Sequence, residues 1–307
     1  MISIEQFAAW TLLAATVPAA SSARETLDLN GAWQYQRVTK LDTPPDDGSW
    51  QAFQVPGTLK GYDYERVWFR RSFTLPETMR GKRIKIRFDG VKYNSRVYVN
   101  GQHVGGCFNG YDAFEVDVTR AVRFDQPNQL DVGCHDWTGV FSEGRFDFSE
   151  KPDWQRPRRY VTDKVIAPIG GHYDHYGIWG DVVLVAHPAV YVQDLFIKPS
   201  VRKSLLVVYY TLANESAESV DVELRANVED GGDDRLRLPA RTLTVAAGSS
   251  VSGTLTKAWP DARYWSHEDP YLYHLRTELS TGDVLRTRFG FREFWIEGHR
   301  YLLNGSK

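Results

Sequence analysis

The feature that most constrains the fold is a succession of short strand patterns between residues 68 and 135, with no helical period between them. Five segments alternate or are rich in β-branched and aromatic residues: WFRRSFTL (68–75), RIKIRFDG (83–90), RVYVNGQHVGG (96–106), AFEVDVT (113–119) and NQLDVGCH (128–135). Asn100-Gly101 predicts a type I′ hairpin turn, because both residues tolerate positive φ. Short strands at this spacing predict a β-sandwich or barrel.

A second series of strand patterns begins after residue 188. The segments SLLVVYYTLAN (204–214), SVDVELRANVED (219–230) and YLYHLRTELST (271–281) are about as long as immunoglobulin-like strands. We therefore place a domain boundary near His187-Pro188 and expect the second domain to run to about Phe289. Residues 138–172 show no regular spacing of hydrophobic residues. So long a segment without a secondary-structure pattern predicts a functional or mobile loop.

The balance of charge argues against two classes of partner. The chain has 37 Lys and Arg residues against 39 Asp and Glu residues, which gives no electrostatic reason to expect nucleic acid or a membrane as partner. Cys107 and Cys134 could pair in an exported protein, but they do not have metal-site spacing. We expect neither a cofactor nor a bound metal ion.

The N-terminal segment contains a short apolar run. Residues 7–20, FAAWTLLAATVPAA, are too few to span a bilayer but fit the core of a signal peptide. We expect residues 1–23 to be a cleaved secretory signal and the protein to be secreted or periplasmic. The alternative is a loosely ordered arm, because no basic residue precedes the run.

Several motifs, in order, resemble one enzyme family. The stretches LDLNGAWQYQ (27–36), VWFRRSFTL through AFEVDVT (67–119) and YGIWGDVVLV (176–185) resemble the N-terminal sugar-binding jelly roll of glycoside hydrolase family 2. RYWSHEDPYLYHLRTEL (263–279) is similar to the end of that family's immunoglobulin-like domain, and FGFREFWIEGHRYLLNGSK (289–307) to the lead-in to its catalytic (β/α)₈ barrel. The resemblance implies an all-β chain with a jelly roll over 27–188, an immunoglobulin-like sandwich over 189–289 and a lead-in over 290–307, without the barrel.

The resemblance also implies a function. The family's members are retaining β-glycosidases, whose two catalytic carboxyl groups lie about 5–5.5 Å apart, and both are Glu residues of the barrel. We therefore assign no catalytic residue here and expect a non-catalytic portion of a longer enzyme, inactive alone. In the family the acid/base Glu follows an Asn, and Asn214-Glu215 has the same two residues. Its position between two predicted strands, however, predicts a solvated turn.

The expected partners are a β-linked glycoside and the catalytic barrel, and an oligomer is possible. Exposed apolar surface is expected where the barrel would dock, near Phe291, Phe294, Trp295 and Tyr301. Two alternatives stay open: a stand-alone carbohydrate-binding pair of β-sandwiches, and a structural or adhesive β protein.

The candidate substrate-binding residues lie in two loops. In some family members the loop before the GIW-like motif carries an acid that reaches the substrate, but the matching position here is Gly171. The loop still offers His172, Asp174 and His175 for sugar hydroxyl groups, with Tyr173 or Tyr176 to stack on the ring; alternatively it is a polar loop packed on neighbouring strands. Its spacing matches no strong metal signature.

The second loop is CFNGYDAF (107–114), where Asn109 and Tyr111 would face carbohydrate. The alternative is a tight turn in which Gly110 supplies a strained φ and Tyr111 caps the sheet.

Overall fold

The computed structural model describes residues 24–61, 65–137 and 175–306. The expected leader over 1–23, together with His172, Tyr173 and Asp174, lies outside these ranges. The described residues form β-strands and one short 3-10 helix, Glu77–Met79, with no α-helix among them. Nothing in these three ranges is helical, long and apolar enough to cross a membrane.

The first thirteen strands build a jelly-roll sandwich, in which all pairings are antiparallel. Their bounds are β1 (Glu25–Asp28), β2 (Gly31–Val38), β3 (Gln51–Val55), β4 (Leu59–Lys60), β5 (Arg66–Phe73), β6 (Arg83–Phe88), β7 (Val91–Lys92), β8 (Arg96–Val99), β9 (Gln102–Gly105), β10 (Phe114–Asp117), β11 (Asn128–His135), β12 (His175–Ile178) and β13 (Val182–His187). A four-stranded sheet of order β1-β13-β6-β10 faces a six-stranded sheet of order β3-β2-β5-β11-β8-β9. A small sheet, β4-β12-β7, joins three of the shorter strands.

The period of two in the sequence explains the core of this sandwich. In β6 the apolar residues Ile84, Ile86 and Phe88 alternate with charged ones, and all three are buried. The predicted hairpin turn is confirmed: Asn100 and Gly101 have φ of 52° and 79° between β8 and β9. Cys134 is buried in β11, and no disulfide joins the two cysteines within the described ranges.

The next eight strands build the immunoglobulin-like sandwich. Their bounds are β14 (Val190–Ser200), β15 (Leu205–Asn214), β16 (Val220–Asp230), β17 (Asp233–Arg237), β18 (Arg241–Val245), β19 (Ser249–Ala258), β20 (Tyr273–Leu279) and β21 (Val284–Phe289). One sheet has the order β14-β15-β19, and the other β17-β16-β20-β21, with β18 also paired to β16. A separate apolar core fills the space between them, and it includes Leu212, Leu224 and Leu275.

Polar contacts join the two sandwiches. Lys85 of β6 donates hydrogen bonds to Glu215 Oε1 at 2.9 Å and to the Tyr191 hydroxyl at 2.7 Å. Burial raises the pKa of Glu215, but the hydrogen bonds from Lys85 and Tyr191 outweigh it and leave that pKa below its ordinary value. The predicted turn between two strands is confirmed, since Glu215 lies between β15 and β16, but its carboxylate is only 29% exposed and is an ion-pair partner of the first sandwich rather than fully solvated.

The C-terminal strands form a two-stranded sheet of their own. β21 ends at Phe289, and a separate hairpin follows, β22 (Phe294–Glu297) and β23 (Arg300–Leu303). β21 ends with the pairing of Phe289 and Tyr273, the first residue of β20. The next residue, Gly290, passes closely over Trp265, where a Cβ would lie 2.8 Å from the side chain. The hairpin is exposed, with 63% of Phe294 and 67% of Tyr301 accessible as predicted. Phe291 is fully buried, so its predicted exposure was wrong.

His135 on β11 leads to a pH prediction. Burial, and then the charges of Arg66 and Arg96, lower its pKa to about 3. Below about pH 6.5 the unfolded chain binds a proton at His135 that the folded chain does not accept until about pH 3. We therefore expect the free energy of unfolding to fall on acidification within this interval, by up to about 1.4 kcal/mol per pH unit.

Urea unfolding at about pH 7 and about pH 5 measures this slope. His135→Asn should make the slope shallower without abolishing it, because burial also lowers the pKa of His187. His267→Asn, at an exposed position, is the control variant. The interpretation is wrong if the wild-type protein is equally stable at both pH values.

Candidate functional site

The small sheet of β4, β12 and β7 positions the candidate site. Gly177 pairs with Lys92, and the peptide N–H of Gly57 donates to the Ile178 carbonyl at 2.7 Å. Gly177 has a φ of 126°, which disfavours any other residue there. The backbone of β12 is thus fixed on both sides, and the side chain that follows it is held in place.

That side chain is Trp179, which packs on the loop after β9. Its Nε1 donates to the Gly110 carbonyl at 2.8 Å, and its ring lies 6.0 Å from the Tyr111 ring. A Cβ at Gly90 would lie 2.4 Å from the Trp179 ring, so this glycine makes room for the indole. Even so, 37% of Trp179 remains accessible. Lys92, Tyr111 and Trp179 together are called the aromatic surface below.

Gly110 is needed for space rather than for an unusual φ. It is not among the residues with positive φ, so the alternative based on a strained φ was wrong. A Cβ at Gly110 would lie 2.5 Å from the buried ring of Tyr93. In the same loop Asn109 Nδ2 donates to Asp112 Oδ2 at 2.8 Å, which rigidifies the segment next to Tyr111.

A cation completes the aromatic surface. Lys92 Nζ lies 4.7 Å from the centroid of the Tyr111 ring and 5.7 Å from that of Trp179. These separations are within the range of cation–π attraction. The surface thus combines apolar ring faces with one positive charge, a combination that suits a polar ligand with C–H faces.

The structure separates the predicted binding residues. Asn109 and Tyr111 lie together in the loop beside Trp179. His175 lies at the opposite end of β12, where its Nδ1 is 3.1 Å from Thr58 Oγ1. At about 3.3 Å per residue, the four steps from His175 to Trp179 span roughly 13 Å. Tyr176 is fully buried, so the suggestion that its ring stacks on a sugar was wrong.

Sequence reasoning missed Trp179 and Lys92. In the sequence, Trp179 was considered only as part of the GIW-like motif, which identified Gly171 as the position that matches the family's acid. A Trp followed directly by Gly180 at a strand end was the available signal. Lys92 had no comparable signal in the sequence.

Two family models match the chain in tandem. The model described as "Glycosyl hydrolases family 2, sugar binding domain" matches residues 25–188, and the model "Glycosyl hydrolases family 2" matches residues 190–292. A β-glucuronidase from Paenibacillus borealis is 25% identical over 286 residues, covering 90% of this chain and 44% of that protein. A β-galactosidase from Bacteroides ovatus is 25% identical over 312 residues, covering 93% of this chain and 34% of that protein.

Solved structures show the same fold. A crystal structure of Bacteroides uniformis β-glucuronidase superposes with a TM-score of 0.70 at 24% identity, covering 92% of this chain and 34% of that one. In all three comparisons the chain spans less than half the length of the relative, and it matches the N-terminal part.

Proposed function

The chain belongs to glycosyl hydrolase family 2, and from this membership we propose that it serves an enzyme that hydrolyses β-glycosidic bonds with retention of configuration. It supplies the non-catalytic sugar-binding and immunoglobulin-like domains. The observation that carries the proposal is the tandem match of the two family models, over 25–188 and 190–292.

The environment of Glu215 supports the non-catalytic role. Retaining hydrolysis needs a nucleophilic carboxylate and an acid/base carboxyl group about 5–5.5 Å apart. The Glu215 carboxylate instead accepts hydrogen bonds from Lys85 and from the Tyr191 hydroxyl where the two sandwiches meet. The amide of Asn214 is also occupied, because it donates to the carbonyls of Glu218 and Val245. The only Asn-Glu pair of the sequence thus has a structural role, and the proposal places the catalytic acids in a separate barrel domain.

The hairpin β22–β23 offers a contact surface for that barrel. Phe294, Ile296 and Tyr301 are all more than half exposed, and neighbouring exposed apolar side chains can mark an interaction site. The base of the hairpin is anchored, since Glu293 accepts hydrogen bonds from Arg202 at 2.8 Å and from Ser200 at 3.1 Å. These features support docking of a catalytic domain on this hairpin.

The aromatic surface is the proposed point of contact with sugar. The C–H face of a pyranose packs on aromatic rings such as those of Trp179 and Tyr111, and Lys92 can donate hydrogen bonds to hydroxyl or carboxylate groups. The related β-glucuronidase and β-galactosidase act on sugars that differ in charge, so an acidic and a neutral sugar are both informative probes.

We expect this chain to bind methyl β-glucuronide or methyl β-galactoside, measured by calorimetric titration, and Trp179→Ala to weaken that binding. Loss of one aromatic contact predicts a roughly three- to tenfold weaker affinity. Tyr209→Ala removes an exposed aromatic side chain from the second sandwich and should leave the affinity unchanged.

Two outcomes would contradict the proposal. Turnover of a 4-nitrophenyl β-glycoside by the purified chain alone would mean that catalytic acids lie within it. Equal affinities for the wild-type protein and Trp179→Ala would remove the aromatic surface from sugar binding.

A further inference from the structure

Strand β14 forms an open edge of the second sandwich. It is the outermost strand of the order β14-β15-β19, and among the described strands only β15 pairs with it. Near its start the Val192 peptide N–H donates to Asp283 Oδ2 at 2.8 Å, and at its end Ser200 Oγ donates to Glu293 Oε2 at 3.1 Å. The segment between these contacts, residues 194–199, is called the open edge below. An edge strand of this kind can pair with another strand.

The backbone of the open edge points outward at alternate residues. The Val192 carbonyl accepts a hydrogen bond from Arg24 Nη2 at 2.8 Å and therefore faces away from β15. The bulge that follows adds one residue and shifts the alternation, which turns Leu195 and Ile197 outward. Outside the ladder with β15, no hydrogen bond among the described residues uses the backbone of either one. Pro199 is next in this series, where a residue without an N–H removes no bond from the ladder.

The exposed side chains of the open edge are arranged symmetrically about Phe196. Asp194, Phe196 and Lys198 alternate along β14 and are all exposed, so they lie on the outer face of the sheet. Phe196 is 58% exposed, and its ring lies 6.0 Å from that of its cross-strand neighbour Tyr209, which is 43% exposed. An acid and a base thus lie at equal distances on either side of an exposed aromatic pair.

This order of charges is complementary to itself. If two copies of β14 run antiparallel about a two-fold axis at Phe196, Asp194 of each copy lies opposite Lys198 of the other. The same register places Leu195 opposite Ile197, so the outward-pointing residues can exchange backbone hydrogen bonds. A parallel arrangement in the same register would instead bring like charges together, which is unfavourable. The charges therefore select an antiparallel second copy.

We propose that the open edge is an interface between two copies of this chain, in which antiparallel pairing of β14 with β14 joins their three-stranded sheets into one continuous sheet. The paired segment is short, so the dimer is expected to dissociate on dilution. The interface lies on the second sandwich and requires neither the aromatic surface nor the proposed hydrolase function.

Sedimentation velocity of the full chain over a series of concentrations tests this interface. The apparent mass should rise with concentration from 35.1 kDa toward twice that value. Asp194→Lys places a second cation opposite Lys198 of the other copy, and Lys198→Asp places two carboxylates together. Because both charge pairs of the dimer then become repulsive, each variant should weaken dimerisation roughly tenfold.

A mixture of these two variants tests the register directly. Asp194→Lys is positive at both positions and Lys198→Asp is negative at both, so a dimer of one with the other contains two attractive pairs. Equimolar mixing should therefore restore dimers at a concentration where neither variant dimerises alone. Damage to the fold of either variant would not be repaired by mixing.

The matched control is Asp233→Lys, which makes the same charge change at an exposed position of β17, in the other sheet of the sandwich. It should dimerise like the wild-type protein, and circular dichroism should show all variants folded. A monomer at every concentration would overturn the proposal and leave the open edge to a different partner chain. Equal dimerisation of Asp194→Lys and Asp233→Lys, or failure of mixing to restore dimers, would also overturn it.

Discussion

We expect Asp283→Ala to lower the free energy of unfolding by about 3–5 kcal/mol, the usual cost of leaving one partner of a buried ion pair uncompensated. The Asp283 side chain has 0% exposure and accepts hydrogen bonds from Arg24 Nε at 3.0 Å and from Arg24 Nη2 at 2.9 Å. It also accepts the Val192 peptide N–H at 2.8 Å. Arg24 precedes the first strand of the jelly roll, so the substitution removes a bond between the sandwiches as well as a buried charge. Urea unfolding followed by circular dichroism measures the loss.

Asp221→Ala is the control for this prediction. Asp221 is an exposed aspartate of the same sandwich, and its carboxylate accepts one hydrogen bond from Thr244. We expect its loss to change stability by no more than about 0.5 kcal/mol. If both variants lose a similar amount of unfolding free energy, then the burial of Asp283 does not add to the stabilisation by its ion pair.

Phe291→Ala should cost about 3–5 kcal/mol, because it opens a cavity in the core of the second sandwich. The Phe291 ring is fully buried, 5.4 Å from the Trp259 ring and 5.7 Å from the Tyr264 ring. Phe294→Ala removes the same atoms three residues later, from a ring that is mostly exposed. Its expected cost is below about 0.5 kcal/mol. Thermal and urea unfolding of the two variants provide the comparison.

An equal loss in Phe291→Ala and Phe294→Ala would contradict the assignment of one to the core and the other to the surface. Comparing these two variants also distinguishes an effect on the stability of the chain from an effect on docking. Phe294→Ala should weaken association with a catalytic domain while leaving the chain stable, whereas Phe291→Ala should destabilise the chain itself.

The fold was largely predictable because its strands alternate clearly and its turns use residues with special backbone requirements. The hairpin at Asn100-Gly101 is the clearest case, since its chemistry permits few alternatives. The break between Phe289 and Phe294 was not predictable in the same way. It coincides with the end of the pairing between β20 and β21 and with the packing of Trp265, a residue distant in sequence, against Gly290.

The candidate site was predictable only in part. The loop with Asn109 and Tyr111 was found from its composition, but its neighbour Trp179 depends on the pairing of β12 with β7. The role of Glu215 was hidden for the same reason, because its partner Lys85 is 130 residues away in the other sandwich. Contacts of this kind are set by tertiary packing, which a local pattern does not report.

The anchoring of the β22–β23 hairpin has a consequence for association. Asn304 Oδ1 accepts the Glu293 peptide N–H at 2.9 Å, and Asn304 Nδ2 donates to the Trp265 carbonyl at 2.8 Å. The backbone of the hairpin is therefore immobilised when the second sandwich folds, before any partner is present. A domain that binds there would have to restrict only a few side-chain rotamers, and so little of the interaction energy would be lost to conformational entropy.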